Sequence, residues 1–193
     1  FEWRFWIKSP MFWIFLIINI LIVTIIISSD AIEIGSGNEN MIKNSAYIIQ
    51  FVYGLFSFIG LIMNTSFFAS SANREVETGM HQFIFSSPIR KFDYFFGKYA
   101  GLVIVSIIPF LGISIGILLA PYMPWAQPEK FGKVLWSAHL MSIVVFTIPN
   151  ALISGALLFG IALKSRNKTV AFIGTILIMV FYGIGQRFSG RLD

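Results

Sequence analysis

The chain has 193 residues, 56% hydrophobic and 12% charged, with 14 Lys and Arg against 9 Asp and Glu for a formal net charge of +5. About a quarter of an ordinary soluble domain is charged, so this composition excludes a water-soluble globule and points to lipid as the solvent for much of the surface. The absence of cysteine excludes disulfides, thiolate metal sites and thiol catalysis. The basic residues gather at the ends of apolar runs, the positive-inside pattern rather than a nucleic-acid-binding face, so no nucleic-acid partner is expected.

In chain order, residues 1–10 alternate aromatic and charged side chains. Phe1, Phe5 and Lys8 share one helical face with Glu2, Trp6 and Ser9 beside it, which predicts an interfacial amphipathic helix with its rings at headgroup depth. Ser9-Pro10 breaks the chain before the first span. Residues 11–193 form the transmembrane domain. Its five segments without Asp, Glu, Lys or Arg are residues 11–29, 46–72, 99–121, 139–163 and 169–186. At about 1.5 Å rise per residue the first is about 28 Å long, enough for a bilayer core. The predicted fold is an all-α membrane protein of about five transmembrane helices.

The distribution of cations sets the orientation. Arg4, Lys8, Arg74, Arg90, Lys91, Lys98, Lys164, Arg166 and Lys168 fall on one side of the membrane, and Lys43, Lys130, Lys133, Arg187 and Arg191 on the other. The richer side is cytoplasmic, so the N-terminus, the segment 73–98 and the hairpin 164–168 are predicted inside. Residues 30–45 and the Pro-rich stretch 121–128 make outer loops, and residues 131–138 are expected to lie flat at the interface, led by Trp136. The first residue is Phe rather than Met, and the expectation is a fragment, or the ordered part, of something longer.

Residues 73–98 are too long for a simple connection, since helix–helix turns need about 2–8 residues. The stretch joins a charged tip (Arg74, Glu75 and Glu77) to an apolar root (Phe83, Ile84 and Phe85), with Gly79 interrupting it and Pro88 ending it. An elbow of this kind can present a handle to a cytoplasmic partner while seated in the bilayer. Pro109 and Pro149 should kink the third and fourth spans, with Pro149-Asn150 as a hinge.

These residues carry a family resemblance. Glu75-Val-Glu-Thr-Gly79, Ser87-Pro-Ile-Arg-Lys91 and Phe96-Gly-Lys98 resemble the loop after the second span of ABC-2 type transporter permeases. The resemblance implies that 73–98 forms a coupling helix docking on a cytoplasmic ABC ATPase. Arg74, Glu75, Glu77, Thr78, Gly79, Met80 and His81 would then make the contact, and Phe83, Ile84, Phe85 and Pro88 would anchor it. It also implies a six-helix half of which five spans are present, a second membrane half as partner, and a multi-pass place in a bacterial inner membrane. ATP and magnesium would sit on the partner ATPase, with no cofactor in this chain. Met123-Pro-Trp125, Pro128-Glu-Lys130, Phe131-Gly132 and Pro149-Asn150 resemble a narrower group, ABC permease regions fused to M1-family aminopeptidase domains.

The motifs that would give this chain its own chemistry are missing. No G-x-x-x-x-G-K-[ST] loop occurs, and Gly155-x-x-x-x-Gly160 lies within a span, where small residues pack helices. His81 and His139 form neither H-E-x-x-H nor any other ligand spacing, so no metal site and no peptidase activity are expected. His139 is expected as a polar or capping residue near the outer interface. Asn19, Gln50, Asn64 and Asn150 are the strongest polar residues in the spans and should hydrogen-bond between helices. The spans without acid or base disfavour an ion-coupled carrier and favour a bundle driven by a separate ATPase, and the family resemblance implies an exporter. The alternative is a non-transporting scaffold of the same architecture that transmits force or anchors a peptidase or secretion complex.

Overall fold

A computed structural model describes residues 2–29, 42–80, 86 and 90–189. The described residues are helical with no strand, and five helices are long and apolar enough to cross a membrane. A short helix α1 (Glu2–Lys8) is followed by α2 (Pro10–Ser28), α3 (Ala46–Glu77) and α4 (Lys91–Leu119). Two 3-10 turns, Ala120–Tyr122 and Pro128–Lys130, lead to α5 (Trp136–Ser165) and α6 (Lys168–Ser189). Within α5 the segment Ile143–Thr147 is π-helical and immediately precedes Ile148 and Pro149.

Two helices overrun the uncharged segments that announce them. α3 continues through Asn73–Glu77, and α4 begins at Lys91 rather than Tyr99. Charge marks where hydrocarbon ends, not where the backbone stops being helical, and Glu, Lys and Arg are good helix formers. Residues 131–135 are irregular, and Trp136–Ala138 form the first turn of α5 rather than part of a separate flat segment.

The chain divides into two compact units, Phe1–Ser57 with Ile104–Pro149, and Phe58–Val103 with Asn150–Asp193. α3, α4 and α5 each contribute to both, and in α5 the border falls between Pro149 and Asn150.

In the first unit, α2 packs on α4 through small residues. A Cβ on Gly112 would lie 2.9 Å from the Leu16 carbonyl oxygen, and one on Gly116 would lie 2.9 Å from that of Ile20. Glycine at both positions lets the two backbones approach closely. Asn19 donates from Nδ2 to the Pro109 carbonyl at 2.9 Å, and Thr24 donates from Oγ1 toward the carbonyls of Ile20 (2.7 Å) and Gly116 (3.2 Å). The far end of α2 is closed by loop residues. Trp125 Nε1 donates to Ser28 Oγ at 2.8 Å, and Lys43 Nζ reaches the Ser29 carbonyl at 3.2 Å. Asn44 pairs with the Gly132 backbone twice, donating to its carbonyl at 2.8 Å and accepting from its N–H at 2.7 Å. In α1, Glu2 and Trp6 are buried while Trp3 and Phe5 are exposed.

The second unit is organised around the rings of Phe68, Tyr99 and Phe159, whose centroids are 5.8 to 6.2 Å apart. Phe68 lies over Gly155, where a Cβ would meet its Cζ at 2.5 Å. Tyr99 Oη donates to the Leu152 carbonyl at 2.6 Å, which pins α4 to α5. Asn64 Nδ2 donates to Ser154 Oγ at 2.8 Å, and Thr65 and Thr175 share a hydrogen bond that joins α3 to α6.

Candidate functional site

The segment predicted to meet a partner begins at the end of α3, in the second unit. Thr78 closes the helix, with its N–H at 2.9 Å and its Oγ1 at 2.8 Å from the Arg74 carbonyl oxygen. Gly79 follows with φ +69°, the left-handed conformation that stops helices and that glycine adopts without steric cost. Glu77, Thr78, Gly79 and Met80 are exposed, Met80 to 51%. The helix therefore ends in a surface turn of four residues. His81, Phe83, Ile84, Phe85 and Pro88 lie outside the described residues.

Beneath the turn the charges are paired within the chain. The Glu75 carboxylate accepts hydrogen bonds from Lys98 Nζ and from Tyr94 Oη, both on α4. The Lys98 and Glu75 side chains are only 3% and 16% accessible. Tyr94 and Lys98 are four residues apart on one helical face, and the ammonium lies 5.8 Å from the Tyr94 ring centroid. Glu77 forms a second, exposed bridge to Lys168 at the start of α6, at 3.0 Å. Arg74 is half-buried beside them.

Glu75, expected as a contact for the partner, is half-buried and bound to Lys98 and Tyr94. A carboxylate at the margin of hydrocarbon is more stable with a cation and a hydroxyl as partners than facing outward alone. Its role here is to fasten the end of α3 to α4. Lys98, Tyr94 and Lys168 escaped the reading of single segments, although a signal was present. Glu75 follows one uncharged run, Lys98 immediately precedes the next, and Lys168 immediately precedes the last, so opposite charges stand at matching ends of neighbouring spans.

The other predicted residues are elsewhere. Pro109 is buried inside α4, where Asn19 holds its carbonyl. Pro149 follows the π-helical turn closely, and a proline there leaves the Val145 carbonyl without its usual N–H partner. The Asn150 carbonyl accepts from Ser154 Oγ. His139, expected near the outer interface, is 4% exposed and hydrogen-bonded through Nδ1 to Ser114 Oγ at 2.9 Å.

Five apolar helices and a charged, exposed turn at the end of the second narrow the class to multi-pass membrane machinery. A family model described as "ABC-2 family transporter protein" matches residues 1–190. The chain belongs to that family. Membership makes this ABC-2 chain a multi-pass membrane component of an ABC transporter, a permease. No curated protein and no solved structure matches it. In ABC-2 terms, the surface turn at Glu77–Met80 follows the second span, and the buried Glu75–Lys98 pair is its footing.

Proposed function

We propose that this ABC-2 permease converts ATP hydrolysis by a cytoplasmic ABC ATPase into movement of its helices, in the direction of export. The observation that carries the reading is the turn Glu77–Met80, exposed and rigidly footed. Gly79 ends α3 abruptly, and Glu75 ties the last helical turn to Lys98 and Tyr94. A force applied at Thr78–Met80 would be delivered to α3 and, through the buried pair, to α4. The exposed residues Glu77, Thr78 and Met80 take the contact role, with His81 beyond them, while Arg74 and Glu75 position the helix end. Phe83, Ile84, Phe85 and Pro88 remain proposed anchors.

The remaining parts of the proposal follow the cation distribution and the family. The N-terminus and Glu77–Met80 face the cytoplasm of a bacterial inner membrane, a second membrane half completes the transporter, and ATP and magnesium bind the ATPase. A peptidase domain in the same polypeptide is a further proposal, supported by the resemblance of Met123-Pro-Trp125 and Pro128-Glu-Lys130 to aminopeptidase-fused permeases. The test is reconstitution with the cognate ATPase in nanodiscs. Glu77→Lys combined with Met80→Glu should abolish stimulation of ATP hydrolysis by the permease while the chain stays folded. Unchanged stimulation would sink the contact. ATP hydrolysis that no transported compound stimulates would instead favour the non-transporting scaffold.

A further inference from the structure

The first unit holds a buried polar chain that the coupling reading does not use. Tyr53 on α3, Ser114 on α4 and His139 on α5 are linked in series, with Tyr53 Oη 2.7 Å from Ser114 Oγ and Ser114 Oγ 2.9 Å from His139 Nδ1. Tyr53 is fully buried and His139 nearly so. Ser114 is the hydrogen-bonding partner of the Tyr53 hydroxyl among the described residues.

In a polarity that satisfies all three groups, the Tyr53 hydroxyl donates to Ser114, Ser114 donates to a bare Nδ1, and the neutral imidazole carries its proton on Nε2. Adding a proton to His139 puts hydrogen on Nδ1, which must then donate to Ser114. Ser114 can then no longer donate to His139, and its hydrogen must leave that bond for another acceptor while its oxygen still faces the Tyr53 hydroxyl. The Ser114 hydroxyl lies between the two groups, so charging the imidazole on α5 alters the hydrogen bond that joins α3 to α4.

Among the described residues, the helices that meet at this chain carry no fixed charge there. Residues 46–57 of α3, 104–119 of α4, 136–149 of α5 and all of α2 contain no Asp, Glu, Lys or Arg. Tyr53 is the titratable group facing from α3, α4 and α2 present none, and on α5 the neighbour is the Trp136 ring, 6.2 Å from the imidazole. Tyr47 on α3 is exposed, and the described charges of the unit are in α1 and in loop residues Lys43, Glu129, Lys130 and Lys133.

We propose that His139 is a proton-binding site whose occupancy redirects the Ser114 hydroxyl and so alters the hydrogen bond between α3 and α4 in this unit. The site is independent of ATPase docking. The test uses the whole chain in lipid nanodiscs, with ¹⁵N-labelled histidine and ¹³Cζ-labelled tyrosine, followed by NMR from about pH 8 to about pH 4.5. His139→Gln and Tyr53→Phe identify the signals by their loss. The expected result is a single Nε2–H tautomer at the alkaline end and a Tyr53 Cζ signal that moves in step with the charging of His139. In Ser114→Ala, His139 still charges and the Tyr53 signal no longer follows it. An Nδ1–H tautomer, a His139 that stays neutral throughout, a Tyr53 signal indifferent to its charge, or persistent coupling in Ser114→Ala would each overturn the proposal. The first three are read on the unsubstituted chain, so they stand even if the variant fails to fold.

Discussion

Replacing Lys98 with Met keeps the apolar stem of the side chain and deletes only the ammonium that faces Glu75. The Glu75 carboxylate would remain 16% accessible with the Tyr94 hydroxyl as its retained partner. Breaking a buried pair by removing one ion costs about 3–5 kcal/mol. The retained hydroxyl and residual access put Lys98→Met near the lower figure, about 3 kcal/mol or roughly 150-fold in the folding equilibrium. The Glu77–Lys168 bridge provides the control within the same unit. Its side chains are 54% and 39% accessible, and exposed pairs of this kind contribute about 0–1 kcal/mol. Reversible unfolding in mixed detergent micelles should therefore rank Lys98→Met well below Lys168→Met in stability. Glu75→Gln added to Lys98→Met should recover most of the loss, because a neutral amide oxygen can still accept from Tyr94 without stranding a charge. Equal losses in the two Lys variants, or a double variant no better than Lys98→Met alone, would refute the view that this pair fastens α3.

Two glycines of α5 should respond in opposite senses. Gly155→Ala places a methyl 2.5 Å from the Phe68 ring and should cost about 1–3 kcal/mol by overpacking, whereas Gly160→Ala, with nothing within 4 Å, should gain up to about 1 kcal/mol from helix propensity; the same unfolding assay ranks them, and equal effects would contradict the packing. Asn44→Ala removes both hydrogen bonds to the Gly132 backbone and should make residues 126–135 more readily cut by protease in nanodiscs, with an unchanged cleavage rate counting against the contact.

Five membrane-spanning helices were legible in the sequence because each rests on a local quantity. A run of about 20 residues without charge has no stable alternative to lipid, whatever surrounds it. The turn at Gly79 was legible for a similar reason, since a glycine among charged residues interrupts a helix by its own conformational freedom. Only tertiary structure decided which charges would be exposed. Glu75 and Glu77 are two residues apart and alike in chemistry, yet helical rotation turns one toward Lys98 and Tyr94 and leaves the other at the surface beside Lys168. His139 follows the same rule. Its place near the start of a span suggested an interface, and its buried hydrogen bond depends on Ser114 and Tyr53, 25 and 86 positions away in the chain. Hydrophobic length is a property of one segment, whereas the partner of a polar group is a property of the neighbours that packing brings to it.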